Sequence, residues 1–162
     1  MHIAENAPEN QFALSEELIL VKQSVSNKVE LLSKMADLLY RHGHVKDSYK
    51  EALLSREEVF PTGLNTQVSG VAIPHADSAH VNHSAIAMAT LHQPVDFQAM
   101  DNPNNTVPVE IVIMLAIKEP KSQLVMLQNI MRILQQNDIL VSIKAADSAA
   151  EVMEILSQHL SA

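Results

Sequence analysis

Three apolar runs in the middle of the chain, Val71 to Ile73, Ala85 to Leu91 and Val109 to Ile117, restrict the fold more than any other feature. Prolines, asparagines and polar clusters bound them, and apolar residues follow one another without polar alternation. Strands of that kind bury both faces, so the runs predict a sheet covered on both sides. The flanks of the chain supply the cover. Asn27 with Glu30 reads as a helix N-cap of the capping-box type, and Val29, Leu31, Leu32, Met35, Leu38 and Leu39 keep helical spacing up to Gly43. A second helix is expected from about Asp47 to Glu58, with Tyr49, Leu53 and Leu54 inward. Beyond the strands, Ser122 heads a segment with an apolar stripe of Leu124, Leu127, Ile130, Met131 and Leu134, and Ser148 with Glu151 forms a second capping box before Val152, Ile155 and Leu156. Two helices therefore close the chain, and the fold class expected is α/β, a mixed central β-sheet flanked by helices in an α/β sandwich.

The remaining segments complete the outline. Glu17 to Val21 is a candidate short first strand, Pro103-Asn104-Asn105 marks a turn, and Pro94 to Pro108 reads as surface loop with Phe97 tucked beneath it. Met1 to Ala13 is polar, contains Pro8 and shows no period, so it reads as a mobile tail before a single domain at residues 14–162. At 162 residues, 47% hydrophobic and 19% charged, the chain has the length and composition of one domain with a full core.

Composition also excludes partners. No apolar run approaches the roughly 18 residues that span a bilayer, and the N-terminus lacks a basic region followed by an apolar stretch, so a cytoplasmic location without membrane insertion is expected. A formal net charge of -8 argues against nucleic acid and anionic lipid, both of which require a positive field. Zero cysteines exclude disulfides and thiolate metal sites.

Within the hexapeptide Val71-Ala72-Ile73-Pro74-His75-Ala76, Pro74 has no N–H to give to a ladder, which is expected to end the pairing and present His75 at the rim of the sheet. An imidazole with an unperturbed pKa near 6.5 has a free lone pair at neutral pH, so His75 is the candidate nucleophile and phosphate carrier. If Ala76, Asp77 and Ser78 open a helical turn, their amides converge on an anion there, with the Asp77 carboxylate pointing away. By spacing alone Arg56 reads first as a surface salt bridge to Glu57 or Glu58; the competing reading is a clamp on phosphate oxygens, which a guanidinium matches with two parallel donors. His42 and His44 flank Gly43 at a helix end, where partial positive charge suits the dipole. His75, His80 and His83 raise the alternative of a metal site, although the step from His75 to His80 does not fit one helical face.

Residues 71 to 76 resemble the phosphorylation-site motif of enzyme IIA domains of the fructose/mannitol class of the phosphotransferase system (PTS). The resemblance runs from Val25 onward. It includes Arg56-Glu57-Glu58 closing a helix, Phe60-Pro61-Thr62-Gly63-Leu64, the strand Ile111 to Ile117, the Lys118-Glu119-Pro120 turn and the helix opening at Ser122. The wording from Phe60 to Leu64 is most like the galactitol branch. Two departures stand out: Gly70 directly precedes Val71, where many members place a glycine several residues before the core, and Gln123 stands where those members carry a second active-site histidine. A glutamine donates a hydrogen bond to a phosphoryl oxygen but supplies no charge.

The resemblance implies the mannitol/fructose-type enzyme IIA fold and a phosphotransferase component without a cofactor. His75 would accept a phosphoryl group from the carrier protein HPr and pass it to the cysteine of a cognate enzyme IIB, with a membrane IIC downstream. Arg56 would act as clamp and Gln123 as an auxiliary hydrogen-bond donor. Without cysteine in this chain, the IIB would be a separate polypeptide. A regulatory PTS phosphoprotein of the nitrogen-related type and, more remotely, a metal-dependent hydrolase built on the histidine cluster are the alternatives.

Overall fold

A computed structural model describes residues 12–159. In chain order the elements are β1 (Ile19–Gln23), α1 (Lys28–Arg41), α2 (Tyr49–Val59), β2 (Gly63–Asn65), β3 (Gly70–Ala72), β4 (Ala85–Gln98), β5 (Thr106–Ala116), α3 (Pro120–Leu134), α4 (Asn137–Ala145) and α5 (Ala149–His159). The strands form one mixed sheet in the order β1-β4-β5-β3-β2, in which β1 runs parallel to β4, β3 parallel to β5, and the other pairs are antiparallel.

The apolar runs do bury both faces. Ala85, Ala87 and Ala89 of β4 and Val112 and Met114 of β5 pack with Leu31, Leu32, Met35 and Leu39 of α1 and with Tyr49 and Leu53 of α2. Ile86 and Met88, with Ile111, Ile113 and Leu115, pack on the other side against Ile130, Leu140 and Val152 of the last three helices. Small residues line one face of β4 and large ones the other, alternating with the period of two that a strand imposes. The alternation slips at Glu110, since Val107 and Val109 share a face with Val112. The β3–β5 register shifts at that same point, as expected of a β-bulge.

Several expectations are corrected. Of the stretch 94–108 only residues 99–105 are loop: β4 continues through Pro94 to Gln98 and returns as β5, pairing Val95 with Val109 and the buried Phe97 with Val107. Pro94 is accommodated because it lies where the ladder breaks register, between Thr90 and Val95, a place that needs no donor from it. Three helices, not two, close the chain; α4, with Ile139, Leu140 and Ile143 buried, lies between the two expected. Pro120 occupies the first turn of α3 and Glu119 is its N-cap, while Ser122 is buried inside the helix. The stripe is rotated accordingly, so that Leu124 and Met131 are exposed and Met126 and Ile133 are buried. The first strand begins at Ile19, after a 3-10 turn at Glu16–Leu18, and Val29 is exposed.

Both N-cap bonds form. Asn27 Oδ1 accepts the Glu30 N–H at 2.9 Å while Glu30 accepts from the Ser26 N–H at 2.7 Å, and Ser148 Oγ accepts the Glu151 N–H at 3.2 Å. The turn at 103–105 is present, with the Asn105 N–H donating to Asn102 O. The expected tail lies outside the described residues except for Phe12, which is buried, and Ala13, whose N–H donates to Ser84 O at 2.8 Å. Among the described residues no helix is long and apolar enough to cross a membrane.

This topology gathers one end of the sheet. The last residues of β3 and β5 and the first residues of β2 and β4 lie together, as the pairs Gly63 with Ala72 and Ala85 with Ala116 require. The end of α2, the segment after β3 and the start of α3 therefore meet there, at the carboxyl ends of two adjacent parallel strands.

Candidate functional site

His75 leaves β3 at that end. Pairing does not stop at Pro74: its carbonyl accepts the Leu115 N–H at 3.0 Å, and His75 makes a parallel bridge to Leu115. A proline lacks the donor but keeps the acceptor, so the ladder runs one residue further than expected. Leu115 is itself fixed from behind, because the buried Tyr49 hydroxyl donates to its carbonyl at 2.6 Å.

The half-buried His75 ring has Nδ1 at 2.9 Å from Ile73 O. A carbonyl only accepts, so Nδ1 carries the hydrogen and the lone pair of the neutral ring belongs to Nε2. Burial lowers the pKa of the ring, the bond to Ile73 opposes that shift, and the Arg56 charge adds to the lowering. These effects favour the neutral ring, with one nitrogen fixed by Ile73 and the lone pair on the other.

Arg56 lies exposed in the last turn of α2, its guanidinium carbon 5.1 Å from the centroid of the Phe60 ring. Among the described residues it forms no ion pair, so the salt bridge to Glu57 or Glu58 is not made. Glu57 is instead only 4% exposed and turns both carboxylate oxygens to Thr62. Oε2 accepts the Thr62 N–H at 2.8 Å and Oε1 accepts its hydroxyl at 2.9 Å. Burial pushes the Glu57 pKa up, while the Thr62 bonds and the more distant Lys28 and Arg56 charges pull it down. Sequence reasoning missed this pair, since no capping or periodic pattern places a glutamate inside.

The expected turn starts later than Ala76. Ala76 is buried and Asp77 is an exposed, extended N-cap, so of the three only Ser78 belongs to the 3-10 turn Ser78–His80. Gln123 sits half-buried in the first turn of α3, on the connection that leaves β5 beside β3. The two unusual glycines are explained by close packing between strands. A Cβ on Gly63 would lie 2.6 Å from Gln98 O, and one on Gly70 would lie 2.2 Å from Pro108 O.

The other histidines are drawn elsewhere. His80 Nδ1 bonds to Ser48 Oγ at 2.8 Å, and the His83 N–H donates to His44 O at 3.1 Å. Among the described residues no three His, Cys, Asp or Glu side chains are grouped to hold a metal ion, so the hydrolase alternative loses its ligand set of His75, His80 and His83. The helix-end charge expected of His44 is disfavoured: burial, then His42 and His83, lower its pKa, and only Glu17 opposes them.

Residues 12–159 match the family described as phosphoenolpyruvate-dependent sugar phosphotransferase system, EIIA 2. The galactitol-specific EIIA component of Escherichia coli K12 is 34% identical over 123 residues, covering 75% of this chain and 81% of that protein. Crystalline mannitol IIA from Escherichia coli superposes with a TM-score of 0.74 at 23% identity, covering 90% of this chain and 99% of that one. The enzyme IIA in a complex of IIAMtl with phosphorylated IIBMtl, also from Escherichia coli, gives 0.72 at 21% identity over 91% and 99%. The chain belongs to the EIIA 2 family of the sugar phosphotransferase system. It is accordingly a phosphocarrier, a phosphotransferase component that moves phosphoryl groups between proteins.

Proposed function

We propose that His75 Nε2 is the phosphoryl acceptor, that phospho-HPr is the donor, and that the cysteine of a cognate enzyme IIB receives the group in a galactitol-like uptake system. The lone pair on Nε2 attacks the phosphorus of the donor phosphohistidine while the donor's N–P bond breaks in line. Attack by the IIB thiolate then breaks the bond to Nε2 and returns the neutral ring. Such a transfer proceeds through a loose transition state, so the protein's contribution is position and charge. Arg56 supplies two parallel donors to the phosphoryl oxygens and Gln123 supplies an uncharged one, while of the three backbone amides expected to help only that of Ser78 belongs to the turn after β3. The domain, into which Phe12 and Ala13 are also built, works in the cytoplasm.

The observation that carries this reading is the pairing of a ring held through Nδ1 with a guanidinium that has no carboxylate partner among the described residues. Incubation with phospho-HPr, with and without IIB, tests it. Wild type should take up the label and pass it on, while His75→Ala should stay unlabelled with an unchanged melting temperature. Full labelling of His75→Ala would remove the assignment, and label that remains on wild type in the presence of IIB would favour the regulatory branch.

A further inference from the structure

We infer that Glu57 is a positioning residue for phosphoryl transfer: its buried carboxylate latches the end of α2 to the start of β2 and thereby sets Arg56 against His75. The inference rests on the assignment of His75 and Arg56 above. A carboxylate buried to 4% exposure costs stability unless its oxygens are satisfied, and here both are satisfied by one residue, Thr62, through its N–H and its hydroxyl. The bonds close a short loop, residues 58–61, that carries Phe60.

Two consequences follow from where that loop is tied. On one side the Phe60 N–H donates to Arg56 O at 2.7 Å and the Phe60 ring lies under the guanidinium at 5.1 Å, so the latch fixes the platform on which Arg56 rests. On the other side Thr62 leads directly into Gly63, which pairs with Ala72 and whose carbonyl accepts the Met100 N–H at 2.8 Å. Ala72 is followed within the same segment by Ile73, whose carbonyl orients the His75 ring. Thr62 is thus bound to α2 through Glu57 and to β3 through Gly63, which ties the guanidinium and the imidazole to one frame. With both oxygens turned to Thr62, Glu57 does not itself reach a phosphoryl group; it acts through Arg56.

A double-mutant cycle on the rate of transfer from phospho-HPr tests this. Glu57→Gln and Thr62→Val should each lower kcat about tenfold with little change in KM, as a small misplacement of a reacting group does. Thr62→Ser, which keeps both donors, should restore the rate. In an Arg56→Ala background Glu57→Gln should cost less than about twofold, because the group it positions is gone. The same tenfold loss in that background, or a wild-type rate for Glu57→Gln, overturns the inference. Should Glu57→Gln fail to fold, Thr62→Val and Arg56→Ala complete the same cycle. An additive cycle with unlabelled His75→Ala defeats only the latch, whereas labelled His75→Ala defeats the site itself.

Discussion

His75 and His44 are both half-buried, and burial lowers the pKa of both rings, yet their surroundings differ. At His44 the main chain joins two connections: its carbonyl accepts the N–H groups of Asn82 at 2.9 Å and His83 at 3.1 Å, Val45 bridges Val81, and the Lys46 N–H donates to His80 O. Its Nδ1 is buried without a partner, and the groups that perturb it are two further imidazoles and Glu17. At His75 the equivalent nitrogen is bonded, which fixes the tautomer, and the charge that perturbs the ring is an arginine without a carboxylate. A depressed pKa therefore does not mark a nucleophile. What sets His75 apart is a directed lone pair beside an arginine that forms no ion pair among the described residues, which is the basis of its proposed role.

Substituting the two rings gives the largest expected contrast. His75→Ala should lower phosphorylation by HPr at least ~1,000-fold by removing the nucleophile, whereas His44→Ala should change it less than about twofold. Comparable losses in both would erase the distinction. Arg56→Ala should slow transfer about ten- to a hundredfold, with Arg56→Lys intermediate, because one point charge replaces a planar fork. An unchanged rate in single-turnover assays would take Arg56 out of the site. Gln123→Ala should cost about two- to fivefold, the scale of one neutral hydrogen bond of roughly 0.5–1 kcal/mol.

The smallest effect concerns pH. A histidine whose folded pKa lies below its unfolded value of 6.5 binds fewer protons folded than unfolded, so the stability it contributes is complete above 6.5 and falls as pH drops through the folded value. Melting curves recorded downward from pH 7 should show that fall, and His44→Gln should flatten it without altering transfer. A steeper fall in His44→Gln would contradict the stated direction.

What the sequence disclosed and what it hid divide along physical lines. Consecutive apolar residues at Ala85–Leu91 and Val109–Ile117 can only be satisfied by a sheet covered twice, and the capping residues Asn27 and Ser148 act locally, so both were legible. Strand β2, three residues long, has too little pattern to register, and Pro94 and Pro108 masked a hairpin because the tolerance of a ladder for proline depends on its bulges. Helix α4 has an N-cap, Gln136, that makes no side-chain capping bond, so it carries no start signal. Within the site, His75 stood out through the proline before it and the motif around it. Glu57 did not, because the inward turn of a charged residue is decided by a partner five positions away, and propensity does not report such a pairing.

Nε2 of His75, and no other nitrogen, is the proposed acceptor of the phosphoryl group. Nitrogen-15 NMR of the domain after phosphorylation by HPr tests it most directly. A phosphorus coupling to Nε2 of His75, with its Nδ1 still protonated and hydrogen-bonded, is the expected result. Coupling to Nδ1 of that ring, or to a nitrogen of any other histidine, would contradict it.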